Sequence, residues 1–281
     1  MPEIPDLEAI RAFLNERIIG VEITKAETYI PYIFRTPAVD VAAGLAGNRF
    51  GQVLRHGKFL LFGLADEQVL AINPMLTGRF QYVKPAAKKR AKTCLMLTLA
   101  NGWQLRYADE RLMGKIYLVH LDDLQSIPTW PEMGPDALEI SEEEFRQRIR
   151  KFTGAIKNIL TNHKFVAGVG NAYSDEILFE ARINPFRRRT TLSDDEIGAL
   201  YQAIHKTMQR SIPILREHFR DELDYEEWRD HLKIHKKGAS GEGRCPRCGT
   251  HITEIAPNQR ITSWCRNCQP EDPRAPATSP R

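Results

Sequence analysis

The stretch Phe165-Val-Ala-Gly-Val-Gly-Asn-Ala-Tyr-Ser-Asp-Glu-Ile-Leu-Phe-Glu-Ala-Arg-Ile-Asn-Pro-Phe186 sets a glycine pair immediately before a helical run. Gly168 and Gly170 lack Cβ atoms and leave their backbone amides accessible. A helix that starts behind them adds the positive end of its dipole, so the pair suits an anion such as phosphate. Asn171 can cap that helix or donate to the anion itself. A pattern this short also serves ordinary helix connections. Its surroundings decide between the two.

Moving outward toward the C-terminus, helical patterns fit Asp194 to about Ile212 and Asp224 to Leu232, and a helix over Gly154 to Asn162 precedes the quoted stretch. Beyond Lys236-Lys-Gly-Ala-Ser-Gly-Glu-Gly lie four of the five cysteines. They form two knuckles, Cys245-x-x-Cys248 and Cys265-x-x-Cys268, separated by 16 residues. Each knuckle offers two thiolates from a tight turn, and together they complete a tetrahedron around zinc. A redox pair or disulfides are the competing reading, disfavoured by the absence of both a secretory leader and a thioredoxin-like context. Four thiolates leave no open coordination position, so the expected ion, one structural Zn2+ per chain, holds a small finger that touches nucleic acid. Cys94 sits in the apolar run Thr93 to Leu99 and reads as a buried thiol.

Toward the N-terminus the period changes. Pro5, Leu7, Ile10, Phe13, Leu14 and Ile18 describe one amphipathic helix closed by Gly20. From Val21 to about Leu121 short β-rich runs follow, including Phe59 to Phe62, Leu95 to Leu99 and Trp103 to Tyr107. Asn101-Gly102 between the last two predicts a type I′ hairpin turn. Three prolines between Ser126 and Pro135 mark a linker, and Ser141-Glu-Glu-Glu144 has the capping-box form that starts a helix. The expected architecture is an α+β multidomain chain: a helix plus antiparallel β-sandwich over 1–125, a linker over 126–140, a helical domain over 141–235, a zinc finger over 236–269 and a disordered tail over 270–281.

The run Phe165 to Phe186 closely resembles the helix-two-turns-helix of the formamidopyrimidine-DNA glycosylase/endonuclease VIII family. The likeness extends to Pro2-Glu3 at the chain start, Lys58 in His56-Gly-Lys-Phe-Leu-Leu, and Arg260 in Asn258-Gln-Arg-Ile-Thr-Ser-Trp-Cys265. Four separated motifs in one order, from Pro2 to about Gln269, make the match specific.

The resemblance implies a base-excision-repair DNA glycosylase and abasic-site lyase, with damaged double-stranded DNA as partner and a monomeric chain. Removal of Met1 before proline would expose the secondary amine of Pro2. An α-amino group titrates at about 7.7 to 8.0, so a useful neutral fraction exists near pH 7. The resemblance implies that this amine attacks C1′ of a damaged nucleotide, forms an iminium ion, and leads to strand cleavage by β- and then δ-elimination. Glu3 would handle protons during sugar-ring opening; an acidic residue placed to favour a helix N-terminus is the plainer reading of the same position. Lys58, Asn171 and Arg260 would hold phosphates beside the lesion, with Gly168 and Gly170 shaping the helix end. For Lys58 alone, a solvated strand lysine is the alternative. Met75, Arg111 and Met113 match the positions that fill the space left by an extruded base; burial in a core is the usual fate of the two methionines.

Three features depart from the family pattern. Met113 stands where phenylalanine is usual in the bacterial formamidopyrimidine branch. Asp6 stands where glutamate is usual and is one methylene shorter. The segment Arg216 to Glu227, charged and helix-prone, replaces a glycine-rich loop that caps 8-oxoguanine. Oxidised purines including formamidopyrimidines are the expected substrates, oxidised pyrimidines the competing class, and a zinc-dependent DNA-binding protein without catalysis the non-enzymatic alternative. The net charge of +4 suits a polyanionic partner but does not by itself select one. No apolar run of about 18 residues and no leader pattern appear, which predicts a cytoplasmic protein without a membrane span.

Overall fold

The first element of the computed structural model, helix α1 (Ile4–Ile18), buries Ile4, Leu7, Ile10, Leu14 and Ile18 along its length. The structure describes residues 1–239, 241–256 and 260–271; residues 272–281, which make up most of the tail read as disordered, lie outside that set. Two compact units are present. One comprises residues 1–132 together with 212–227, the other residues 133–211 and the chain from Trp228 onward.

The first unit is a β-sandwich with helices. Strands β1 (Ile23–Thr28), β2 (Phe50–His56), β3 (Phe59–Leu64), β4 (Gln68–Asn73), β5 (Gly78–Val83), β6 (Thr93–Leu99), β7 (Gln104–Asp109), β8 (Lys115–His120) and β9 (Leu223–Asp224) form two antiparallel sheets, and helix α2 (Ala38–Leu45) follows β1. Strand order is β1-β6-β7-β5-β9 in one sheet and β2-β3-β4-β8 in the other. Their inner faces meet through aromatic rings. Phe62 of β3 lies 6.2 Å from Phe80 of β5, Phe50 touches Phe62, and Phe80 meets Tyr107 edge-on at 5.2 Å. Asn15 of α1 stitches the helix to β2, donating to the Val53 carbonyl at 2.9 Å and accepting the Val53 N–H at 2.8 Å. That double bond sits where the β2–β3 register shifts, and so satisfies backbone groups that the ladder leaves unpaired.

The β6–β7 hairpin is present with a different turn from the one expected. Among its loop residues only Gly102 has positive φ (80°), and Gly102 N–H closes onto the Leu99 carbonyl at 3.0 Å. A type I′ turn needs two residues in that region, so a three-residue loop with a left-handed glycine takes its place.

The second unit holds α3 (Glu142–Ile149), α4 (Ile156–Leu160), α5 (Asn171–Ala181), most of α6 (Asp194–His218), and a hairpin of β10 (Thr253–Ile255) and β11 (Thr262–Trp264). Ser141 caps α3 as expected, its hydroxyl accepting the Glu144 N–H at 3.2 Å. Helix α6 runs past the predicted end, and the division between units falls between Ser211 and Ile212, beside its internal Pro213. Proline removes a helix donor and crowds the carbonyl four residues back, which marks a natural seam. The helix expected over Asp224 to Leu232 is absent. Instead Leu223 and Asp224 pair with Tyr82 and Gln81 of β5, so an open sheet edge overrides helix propensity and draws residues 212–227 into the first unit.

Candidate active site and nucleic-acid interface

In the first unit, the chain start is built around a buried helix end. Glu3 is the N-cap of α1, and Glu3 and Asp6 form a reciprocal capping box in which Asp6 Oδ2 accepts the Glu3 N–H at 2.9 Å. Glu3 is 2% exposed and Pro2 is buried, so the acidic residue caps the helix, as its plainer reading has it, from a buried position. The Met1 ammonium pairs with Glu227, and the Met1 sulfur lies 3.8 Å from Lys58 Nζ. Lys58 is therefore beside the chain terminus although 57 positions away in sequence. It lies off the strands, against the reading of a solvated strand lysine. Gly57 and Lys58 form the two-residue turn between β2 and β3, with His56 paired to Phe59 and Gly57 at φ 56°. Glycine first, with positive φ, is the type II′ arrangement, and it turns the lysine out of the sheet.

Two loops carry Met75, Arg111 and Met113. Neither methionine is core: Met75 is half-buried at φ 48° and Met113 is 38% exposed, while Arg111 is exposed. A residue that the sequence reading passed over ties these loops together. Asp109 is fully buried, accepts the hydroxyl of Thr77, the Gly114 N–H at 2.5 Å and the Arg111 N–H at 3.2 Å, and Thr77 Oγ in turn accepts that same Arg111 N–H at 3.0 Å. A Cβ at Gly114 would stand 2.2 Å from the Tyr107 hydroxyl, so only glycine lets the second loop close on Asp109.

In the second unit Gly170, not Asn171, is the N-cap of α5, and Gly168 takes a φ of 104°. Asn171 is the first helical residue. Its side-chain amide donates to the Ile261 carbonyl at 2.9 Å, beside the exposed Arg260. Lys157 reaches the same carbonyl at 2.8 Å, and also Asp175 Oδ1 at 2.6 Å and Thr262 Oγ at 2.9 Å. Asp175 Oδ2 meets His235 Nδ1 at 2.8 Å and accepts the Ser263 N–H at 3.1 Å. Glu176 accepts the backbone N–H groups of Lys233, Ile234 and His235 at 2.8 to 3.1 Å. This buried polar network fixes the hairpin against α5, and sequence gave no sign of it because its members are scattered over a hundred residues.

The four cysteines gather as expected. Their sulfurs lie within 4.8 Å of one another, with Cys245 to Cys268 at 3.7 Å and Cys248 to Cys265 at 3.5 Å. A tetrahedron with metal–sulfur bonds of about 2.3 Å has edges of roughly 3.8 Å, so the donors fit a four-thiolate ion. Backbone N–H groups of Arg247 and Cys268 point at Cys245 and Cys265 sulfurs, each at 3.4 Å. Burial opposes ionisation of Cys248, yet hydrogen bonds with Thr250 and Asn267 bring its thiol down to about 6, whereas burial pushes Cys265 up to about 11. Cys94 is fully buried, which bears out the buried thiol, and burial and the Asp109 charge push it up to about 11. No helix among the described residues is long and apolar enough to cross a membrane.

Comparison with known proteins gives the family of each part of the chain. Family models match residues 1–116 as the formamidopyrimidine-DNA glycosylase N-terminal domain, residues 133–221 as the formamidopyrimidine-DNA glycosylase H2TH domain, and residues 243–270 as the zinc finger found in FPG and IleRS. The chain is 34% identical to formamidopyrimidine-DNA glycosylase of Pelotomaculum thermopropionicum over 277 residues, covering 96% of this chain and 99% of that one. It is also 34% identical to the same-named protein of Desulforamulus reducens, with 96% and 99% covered. Among solved structures, the Lactococcus lactis Fpg in complex with abasic-site DNA superposes with a TM-score of 0.86 at 29% identity, covering 96% of this chain and all of that one. The same protein bound to DNA containing N7-benzyl-Fapy-dG gives an equal TM-score. The chain belongs to the formamidopyrimidine-DNA glycosylase family.

Proposed function

We propose that the protein is a base-excision-repair DNA glycosylase and abasic-site lyase that works through the amine of Pro2. The observation that carries the reading is the chain start: a proline followed by a buried glutamate, with Lys58 beside the terminus. Met1 must be removed for the amine to act. The freed nitrogen attacks C1′ of the damaged nucleotide, the glycosidic bond to the base breaks, and an iminium forms as the sugar ring opens. Glu3 supplies the proton that the ring oxygen takes up. The iminium acidifies the C2′ hydrogens. Loss of one proton expels the 3′ phosphate, and a second elimination expels the 5′ phosphate.

Lys58, Asn171 and Arg260 contribute phosphate contacts, with the amides that follow Gly168 and Gly170 at the head of α5. Met75, Arg111 and Met113 occupy the space of the extruded nucleotide. The four thiolates hold one Zn2+, whose task is to keep the hairpin that carries Arg260 folded. Oxidised purines, formamidopyrimidines included, are the assigned substrate class.

A strand-cleavage panel tests this. Processed, zinc-loaded protein is incubated with duplexes carrying 8-oxoguanine, a formamidopyrimidine, an oxidised pyrimidine or an abasic site, and the ends are resolved by size. Cleavage of the purine lesions with phosphate on both new ends is the expected result. Cleavage of the oxidised pyrimidine alone would reassign the substrate, and no cleavage of any duplex would remove the enzymatic reading.

A further inference from the structure

Two departures from the family pattern, the short Asp6 and the charged segment ending at Glu227, meet in the first unit. The Tyr225 hydroxyl donates to Asp6 Oδ1 at 3.0 Å, while Asp6 Oδ2 accepts the Glu3 N–H at 2.9 Å. Tyr225 is 1% exposed, Asp6 0% and Glu3 2%. A carboxylate withdrawn from water is costly unless its oxygens are hydrogen-bonded, and here each oxygen has a donor. The two bonds together limit the rotation of the Asp6 carboxyl.

The tyrosine is itself fixed from several sides. Its N–H donates to the Phe80 carbonyl at 2.9 Å, and the preceding residues Leu223 and Asp224 are registered on Tyr82 and Gln81. Arg90 clamps the segment by reaching Asp224 at 2.6 Å and Glu226 at 3.1 Å. The ring packs on Phe219, with centroids 5.4 Å apart. A segment that reads from composition as helix is thus built as a wall that aims one hydroxyl at the N-cap of α1.

We infer that Tyr225 is a positioning residue: through Asp6 it fixes the backbone of Glu3, and so the amine of Pro2 one peptide unit away. This rests on the reading that Pro2 and Glu3 carry the reaction. The hydroxyl gives the shorter aspartate a rigid anchor, so the two departures compensate each other. The role assigned to Tyr225 runs through Asp6.

The test compares wild type with Tyr225→Phe and Asp6→Asn, the latter serving also if the former does not fold. Single-turnover cleavage of an abasic duplex at saturating enzyme falls about tenfold in each variant, as expected for loss of a hydrogen bond to a charged group, with DNA affinity unchanged. A second readout needs no DNA: reductive methylation of Pro2 by formaldehyde and cyanoborohydride, followed across pH by mass spectrometry. Its pH midpoint moves by about half a unit or more in both variants. Wild-type cleavage rates and a wild-type midpoint in both variants would overturn the inference. If the wild type cleaves nothing while the midpoint still moves, the positioning role stands and the activity reading falls.

Discussion

Asn171 and Ile261 are joined by a hydrogen bond of 2.9 Å from the side-chain amide of one to the carbonyl of the other. The first helical residue of α5 and the neighbour of Arg260 are thus held as one piece, with Lys157 bonded to the same carbonyl at 2.8 Å. Two phosphate-binding candidates 89 positions apart become parts of one rigid surface of the second unit.

Arg260→Ala accordingly weakens binding to every duplex by a similar factor and lowers the slope of log affinity against log salt by about one, the signature of one lost phosphate contact. Titrations at several salt concentrations, with intact and lesion-bearing duplexes, measure it. An unchanged slope would exclude Arg260 from the phosphate contacts.

Removing the metal acts on the same surface. The sulfur pairs lie 3.7 and 3.5 Å apart, close to the separation between corners of a four-thiolate tetrahedron, and Cys245 and Cys265 share a small core with Phe179, Ile234 and Ile252. A strong chelator therefore releases one zinc per chain and lowers DNA affinity at least about tenfold, because metal binding and folding of such a module are one equilibrium. Metal analysis with a binding titration checks it. Full affinity after zinc release would show that the finger does not grip DNA.

Met113 is 38% exposed on a loop anchored by Asp109. Met113→Phe places a stacking ring where a thioether now stands, and affinity for an abasic duplex rises roughly threefold, within the range of one aromatic contact. A decrease would mean that the loop does not enter the duplex.

Glu8 links α1 to β2 through Arg55 at 2.7 Å and also binds Arg11 at 2.7 Å. Burial pushes its carboxyl up, but hydrogen bonds and charge from Arg11 and Arg55 more than offset this and hold it below 4.5. A depressed carboxylate adds stability that is fully present above the unfolded value and is lost as pH falls through the folded one. Glu8→Gln is therefore less stable at neutral pH, and the gap to wild type narrows below about pH 4.5. Denaturant melts at several pH values measure this; a gap that widens in acid would reverse the sign.

Much of this was legible in sequence because the features were local. The Cys-x-x-Cys knuckles, the capping serine of α3, the glycine pair before α5 and the period of α1 each state their own geometry within a few residues. The errors are of two kinds, distant pairing and local turn geometry. Leu223 and Asp224 became strand because β5 had an open edge, and Lys58 sits in a turn because His56 pairs with Phe59. The β5 partners are far from Leu223 and Asp224 in sequence, as Thr77 is from Asp109 and Asp6 from Tyr225, whereas His56 and Phe59 flank Lys58 directly. Tertiary pairing decided the distant places, and local propensity could not.

The central claim is that the amine of Pro2 forms the covalent bond to DNA. Processed protein is incubated with an abasic or 8-oxoguanine duplex in borohydride, which reduces the iminium to a stable amine, and the cross-linked peptide is sequenced by mass spectrometry. A cross-link on the nitrogen of Pro2 is the expected result. A cross-link on Lys58 or another lysine, or none with fully processed and zinc-loaded protein, would contradict it.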